Sequence, residues 1–376
     1  MNSDFTNQDY IFMSQAIKLA SKGQFTVRSN PLVGCVLVKN NEVIGKGWHQ
    51  YAGGPHAEIN AIKSSVSDVK DSTAYITLEP CNHVGKTDAC CEALKTAGIK
   101  RVFIAMQDPN PLVSGRGINE LKKSGIEVFT GLMAEKSADL NLGFIKRMNQ
   151  GVPFVICKIG MSLDGKIAMN SGESKWITSD FSRTKVQEMR AASGTIVTGI
   201  GTILSDDPKM NIRDKKILEE GVTQPDLVIV DSTLRIPLDS QILVNHDPQQ
   251  RTIFLACNES VEQIKVDALQ DFGVIIKKLP VAKKGSGVCL ESLLKFLGSK
   301  EINNILVEAG SKLLGEFVSH SLCDQLNIFV APKILGSKAK SAFSIALDSL
   351  GEAIELDVKD TKAVGNDWLI TCGLKN

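Results

Sequence analysis

The sequence predicts two α/β domains joined near residue 150, and three observations carry that expectation. Apolar strand-sized runs alternate with amphipathic helical segments along almost the whole chain, the pattern of helices laid on a sheet. At 376 residues the chain is long for a single domain. A polar stretch punctuated by Gly and Pro, "LNLGFIKRMNQGVP", ends one series of elements before a second begins, which sets the domains at 1–150 and 151–376.

In the first series, "DYIFMSQAIKLASKG" reads as a helix. Asp9 is expected to cap it, Ile11, Ala16, Ile17 and Ala20 recur at helical spacing, and Gly23 stands at its end. "GCVLVKNNEVIGKGWH" reads as a hairpin turning at Asn40-Asn41. A helix at "HAEINAIKSS", a strand "TAYITL", a helix "CCEALKTAG", a strand "RVFIAM", a helix "GINELKKSG" and a strand "IEVF" complete it. The second series opens with "FVICKIGMSLDGKIAM" and a helix around "SRTKVQEMRAA". Strands "TIVTG", "LVIVDS" and "TIFLA" follow, then a helix "LESLLKFLGS", a strand "NNILVEAG", a helix "SKLLGEFVSH" and strands "QLNIFVAPKIL" and "DWLITCG".

Composition limits the function classes. The 43 Lys+Arg against 42 Asp+Glu leave a formal net charge of +1, so no global field draws in nucleic acid or a membrane surface. The longest apolar runs are too short to span a bilayer. "MNSDFTNQDY" shows no basic region followed by an apolar core, so a cytoplasmic location with reduced thiols is expected for the nine cysteines. The expected partner is therefore a small molecule, not nucleic acid or a membrane; a homo-oligomer is expected as well, though not from composition.

One constellation carries chemistry. Pro55 suits the first position of a helix, which would put His56 and Glu58 in its first turn. Cys81 follows Pro80 after a strand, and Cys90 opens the next helix, both near positive helix ends that favour a thiolate. A lone cysteine is more often core than ligand, and His-x-Glu alone signals little. Together, one imidazole and two thiolates fill three positions of a tetrahedral Zn2+ and leave the fourth for water, as in catalytic sites. Glu58, beside the metal but not bound to it, is placed to shuttle protons. Cys91 is the competing ligand, but its side chain would point about 100° away around the helix.

The His-x-Glu and Pro-Cys pattern resembles the zinc nucleobase deaminases, although nine positions separate Cys81 from Cys90. With "NPLVGCVLV", "HAEINAI", "TLEPCNHVGKTDACC" and "MQDPNPLVSGRG", the first half resembles the deaminase half of the bifunctional riboflavin-biosynthesis deaminase–reductases. The chain departs from that pattern at Asp88-Ala89, where Pro-Pro is common, and at Val84, where a second His is frequent. "CKIGMSLDGKIA", "GESKWIT", "SDDPKMNIR", "VEAG" and "APKILG" resemble, in order, the reductase half of the same family. The resemblance implies a cytidine-deaminase-like three-layer domain followed by a dihydrofolate-reductase-like α/β domain. It also implies Zn2+ and NADPH as cofactors and a phosphorylated pyrimidine as substrate. Asn30, His49, His83, Lys86, Thr87, Asp108 and Asn110 would touch that substrate in the first domain, although Asn and Asp beside prolines also simply make turns.

In the second domain, Lys158 within the apolar strand "FVICKIG" is costly to bury unpaired, and Glu308 in "NILVEAG" is the oddity of opposite sign. The two either pair across the sheet or both face the active site. "TGIGTIL" supplies only part of a Gly-x-Gly-x-x-Gly fingerprint, whereas the helix start in "VEAGSKLLGEF" could hold a pyrophosphate or be an ordinary turn. By the resemblance, Lys158 and Glu308 lie near the reacting ribose carbon. Ser174, Trp176, Arg190, Met210 and Arg213 then hold the substrate, with the guanidinium groups of Arg190 and Arg213 suited to its phosphate. Gly160, Trp176, Thr202, Asp206, Ser232 and the segment Gly310, Ser311, Lys312, Leu313, Leu314, Gly315 and Glu316 hold NADPH. Two rival readings are a deaminase of free nucleosides or nucleic-acid bases and a nucleotide sensor with a structural zinc. The balanced charge argues against nucleic acid, and three ligands beside a free carboxylate argue against a structural metal.

Overall fold

The computed structural model describes residues 5–82, 89–283 and 287–375. The chain divides into two units, Met1–Gly151 and Val152–Asn376. In the first, strands β1 (Gly34–Lys39), β2 (Glu42–Trp48), β3 (Thr73–Leu78), β4 (Arg101–Met106) and β5 (Glu127–Thr130) form one sheet in the order β2-β1-β3-β4-β5. β1 runs antiparallel to β2 and β3, and β3, β4 and β5 are parallel. The hairpin turns at Asn40 and Asn41, both left-handed at φ 51° and 66°, a conformation in which asparagine is enriched.

Among the described residues, six α-helices accompany the sheet: α1 (Asn7–Ala20), α2 (Ala57–Lys63), α3 (Cys90–Thr96), α4 (Arg116–Lys123), α5 (Ala134–Leu140) and α6 (Leu142–Gln150). Alternate residues of the strands serve opposite layers. Cys35, Leu37, Ala74, Ile76, Val102 and Ile104 pack with Ala57 and Ala61 of α2, Leu94 of α3 and Leu121 of α4. Val36, Val38, Tyr75, Phe103 and Ala105 pack with Phe12, Met13, Ala16 and Leu19 of α1. The result is three layers.

Three local expectations are corrected. The N-cap of α1 is Thr6, and Asp9 serves as its reciprocal partner: Asp9 N–H donates to Thr6 Oγ1 at 3.3 Å, and Thr6 N–H to Asp9 Oδ2 at 2.8 Å. Ile11 is 50% exposed, because the buried stripe runs through Phe12, Met13, Ala16, Leu19 and Ala20. The stretch at 142–150 is helical, and only Gly151, left-handed at φ 71°, ends it.

The second unit contains β6 (Phe154–Ser162), β7 (Lys166–Ala168), β8 (Thr195–Gly199), β9 (Asp226–Val230), β10 (Ile253–Asn258), β11 (Ile275–Leu279), β12 (Asn304–Glu308), β13 (Gln325–Ala331), β14 (Lys340–Ser341), β15 (Leu356–Val364) and β16 (Asp367–Leu374). Its helices are α7 (Asp180–Ser193), α8 (Ile200–Asp206), α9 (Lys215–Glu219), α10 (Gln241–Val244), α11 (Gln263–Gln270), α12 (Leu290–Ser299) and α13 (Ser311–Ser319). Nine strands form one sheet, ordered β11-β10-β9-β8-β12-β6-β13-β16-β15. It is parallel from β11 to β13 and antiparallel at β16 and β15. One face buries Val155, Cys157, Val197, Val228 and Val307 with Leu293 and Leu297 of α12 and Phe317 of α13. The other buries Ile196, Leu227, Ile229 and Leu255 with Ile242 of α10 and Val266 of α11. In open α/β sheets ligands bind outside the carboxyl ends of the strands, and Glu308 is the last residue of β12.

Candidate functional site

In the first unit, the starts of two helices and the loop after β3 meet. His56 is the N-cap of α2 and makes no capping hydrogen bond, so its imidazole is left for other work. This corrects the expected register: α2 begins at Ala57, and Pro55 lies outside the helix. Cys81 follows β3, and Cys90 is the first residue of α3. His56 Nδ1 lies 3.1 Å from Cys90 Sγ and 3.6 Å from Cys81 Sγ. All three donor atoms fall within 4.8 Å of one another. Zinc–ligand bonds of about 2.0–2.3 Å in a tetrahedron need edges of about 3–4 Å, and one nitrogen with two soft sulfurs is a donor set that zinc accepts. The residues present fit the ion.

The electrostatics agree. Cys90 donates to Cys81 from both thiol and backbone, and with His56 beside it the Cys81 thiol is held well below its ordinary pKa. The Cys90 thiol is pushed up by that same bond and by burial. Glu58 is 3% exposed, and burial raises its carboxyl pKa despite the opposing pull of His56. Cys91 turns away: its thiol points at Pro80 O (3.4 Å) and Gly117 O (3.6 Å), inside the core.

His49, 3% exposed, lies edge-on to His56 with ring centroids 5.5 Å apart. Its Nδ1 is 3.1 Å from Pro55 O, and its Nε2 is 2.8 Å from Asn30 Nδ2. That pairing assigns the proton to Nδ1, and burial lowers the ring's pKa. Asn30, His49 and the candidate metal-ligand set are thus brought together. Asp108 and Asn110 form the turn after β4, where Asp108 Oδ1 accepts from Asn110 N–H at 2.8 Å and Asn110 Oδ1 from Leu112 N–H at 3.0 Å. His83, Lys86 and Thr87 lie outside the described residues. A residue the sequence reading passed over is Glu79, 4% exposed, whose carboxylate accepts from three backbone N–H groups.

In the second unit, Lys158 and Glu308 are register partners on adjacent parallel strands. Glu308 nevertheless pairs with Arg190, not with Lys158. Arg190 Nε and Nη2 donate to the two carboxylate oxygens at 2.6 and 3.0 Å, and Nη1 donates to Asn211 O at 2.7 Å. The guanidinium expected to meet a phosphate is thus largely engaged. Burial would raise the Glu308 pKa, but Arg190, then Lys158 and Arg213, hold it below the usual range. The Lys158 ammonium makes no side-chain hydrogen bond among the described residues, and burial lowers its pKa. A β-carbon at Gly160 would lie 4.0 Å from Lys158 Nζ and 3.2 Å from Thr178 Cγ2, so the glycine keeps that space open. Arg213 is exposed, and its backbone N–H donates to Gln187 at 2.6 Å. Met210 is buried with φ 45°, its carbonyl held by Arg251 at 2.7 Å.

Trp176 is 61% exposed, and the Arg183 guanidinium stacks 4.4 Å from its ring centre, while Ser174 precedes it in the same loop. Thr202 and Asp206 lie on α8, and Ser232 follows β9. Gly310 is the N-cap of α13 with no side-chain capping bond, and a β-carbon there would meet no atom within 4 Å. Uncapped N–H groups opening on space fit a pyrophosphate. Ser311 and Lys312 are the first two residues of α13. Leu314 is fully buried in the core, and Gly315 packs on Ser344, where a β-carbon would come 2.9 Å from the carbonyl oxygen. Glu316 faces His320 at 3.4 Å.

No helix among the described residues is long and apolar enough to cross a membrane. The family model for the RibD C-terminal domain matches residues 153–370, and that for the cytidine and deoxycytidylate deaminase zinc-binding region matches residues 6–106. The riboflavin biosynthesis protein RibD of Escherichia coli is 41% identical over 361 residues, covering 96% of this chain and 98% of the relative. Among solved structures, Acinetobacter baumannii RibD superposes with a TM-score of 0.89 at 39% identity, covering 98% of this chain and 99% of that one. A diaminohydroxyphosphoribosylaminopyrimidine deaminase/5-amino-6-(5-phosphoribosylamino)uracil reductase of Thermotoga maritima gives a TM-score of 0.84 at 33% identity over the same shares. The fold is accordingly a cytidine-deaminase-like unit followed by a dihydrofolate-reductase-like unit. Likeness over nearly the full length, with both family models in order, places the chain in the RibD family of bifunctional riboflavin-biosynthesis deaminase–reductases.

Proposed function

We propose that the first unit hydrolyses the 2-amino group of 2,5-diamino-6-(5-phosphoribosylamino)pyrimidin-4(3H)-one, releasing ammonia, and that the second reduces the ribosyl arm to ribityl with NADPH. The observation that supports this best is the convergence of His56 Nδ1, Cys81 Sγ and Cys90 Sγ beside a buried carboxylate outside the set. Zinc held by those three residues would supply Lewis acidity to the hydrolysis. Glu58, its pKa raised by burial, takes the proton of the attacking water and gives it to the departing amine. His49, held neutral by burial and fixed between Asn30 and Pro55 O, orients a ring edge and carries no charge into the site.

In the second unit, reduced nicotinamide supplies the hydride when bound. Lys158, which makes no side-chain hydrogen bond among the described residues and lies beside the open space at Gly160, meets the oxygen that gains electron density. Arg190 locks Glu308 in place as its neighbour. Gly310 and the first turn of α13 receive the pyrophosphate of NADPH. Zinc analysis of Cys81→Ser, Cys90→Ser and Cys91→Ser tests the carrying observation. Loss of metal and of ammonia release in the first two alone is expected, and stoichiometric zinc in both would overturn it.

A further inference from the structure

We propose that Glu79 is a positioning residue of the deamination, tying the metal-ligand segment to the turn at Asp108–Asn110. The inference rests on the deaminase reading above and adds to it a residue that touches neither metal nor substrate. Glu79 follows β3 and stands two positions before Cys81. A carboxylate this buried is costly unless its oxygens are satisfied, and no cationic side chain pairs with it among the described residues. Three backbone N–H groups do the work instead. Oε2 accepts from Asp108 at 3.2 Å and Gly115 at 2.9 Å, and Oε1 accepts from Ile118 at 3.1 Å.

The partners explain the purpose. Gly115 is the N-cap of α4, left-handed at φ 77°, and has no side chain to satisfy the Ile118 amide that an N-cap ordinarily serves. Glu79 serves it from 39 residues upstream. The same carboxylate holds Asp108, whose own side chain shapes the turn through Asn110 N–H. Around it the backbone is locked. A β-carbon at Gly117 would come 2.0 Å from Pro80 O, and Cys91 N–H donates to Cys81 O at 3.1 Å. One side chain therefore fixes the position of the Asp108–Asn110 turn relative to Cys81 and the start of α3. A helix cap alone would not need the bond to Asp108.

The test uses the full chain and Glu79→Gln, which keeps the shape but turns one acceptor into an NH2 donor facing N–H groups. The expected result is stoichiometric zinc, parental reduction of pre-deaminated substrate, and a KM for deamination raised about tenfold or more, with a smaller fall in kcat. Glu79→Asp, which restores the charge on a shorter arm, should recover part of that loss. A zinc-loaded Glu79→Gln enzyme with parental KM and kcat, whatever its melting temperature, overturns the proposal. Should the variant not fold, amide hydrogen exchange of the parent decides. Asp108, Gly115 and Ile118 should be protected together and gain protection when the deaminated pyrimidine binds, and unchanged exchange at all three overturns the proposal. A parent that releases no ammonia removes the deaminase reading itself, an outcome distinct from any variant result.

Discussion

Replacing Arg190 with leucine should unfold the second unit far more readily than replacing Lys158 with alanine, although the two cations flank the same carboxylate. Arg190 gives Glu308 two charge-assisted hydrogen bonds at 2.6 and 3.0 Å, with both side chains 9% exposed, and gives Asn211 O a third at 2.7 Å. Its removal leaves a buried carboxylate opposed only by Lys158 and Arg213. Breaking a buried pair on one side costs about 3–5 kcal/mol. At about 2–4 °C per kcal/mol for a unit of this size, the melting temperature should fall by about 6–20 °C. Lys158 makes no side-chain hydrogen bond among the described residues, and burial already works against its charge. Lys158→Ala should cost about 1 kcal/mol, or about 2–4 °C, while abolishing most NADPH oxidation in single turnovers on pre-deaminated substrate. Arg190→Leu/Glu308→Leu should regain much of the single variant's loss, because an apolar pair can replace a buried ion pair at little cost. Calorimetry of the three variants is the assay. An Arg190→Leu chain melting within about 2 °C of the parent would refute the pairing argument. A folded Lys158→Ala chain oxidising NADPH at the parental rate would refute the catalytic one.

Glu58→Gln should keep its zinc and its reductase rate while ammonia release falls by about 10²–10⁴, read by coupled ammonia assay, since an amide cannot carry the proton. Because the Glu308 pKa lies below its unfolded value, its contribution is fully present above about pH 4.3 and is lost as pH falls through the lower folded value. Denaturant titrations should show the second unit weakening over that acid window, with a flatter slope in Arg190→Leu. Gly160→Ala should weaken binding of reduced nicotinamide, measured by fluorescence titration, because its methyl would crowd Thr178 at 3.2 Å and the space beside Lys158.

The sequence made the regular elements legible wherever one side of the chain faces a core: the alternation of Cys35–Val38 and Tyr75–Ile76 sorts directly into two layers. His56, Glu58, Cys81 and Cys90 stood out because their residue types are few and their spacings local. What escaped depends on contacts across long stretches of chain. Glu79 was passed over, since its partners begin 29 residues away at Asp108. Arg190 read as a phosphate clamp and not as the partner of Glu308, because that partner lies 118 residues on. The helix at 142–150 was hidden by polar residues and asparagines that serve turns equally well, and Thr6 by the more conspicuous Asp9 of the same capping box.

The most direct test is the mass of the product when the purified full-length chain meets the diamino-pyrimidinone phosphate with and without NADPH. Without NADPH the product should carry oxygen in place of the 2-amino group, with ammonia released in equal amount. With NADPH it should in addition gain two hydrogens in the sugar arm. Substrate recovered unchanged under both conditions from zinc-loaded protein would contradict the account, as would reduction with the 2-amino group still in place.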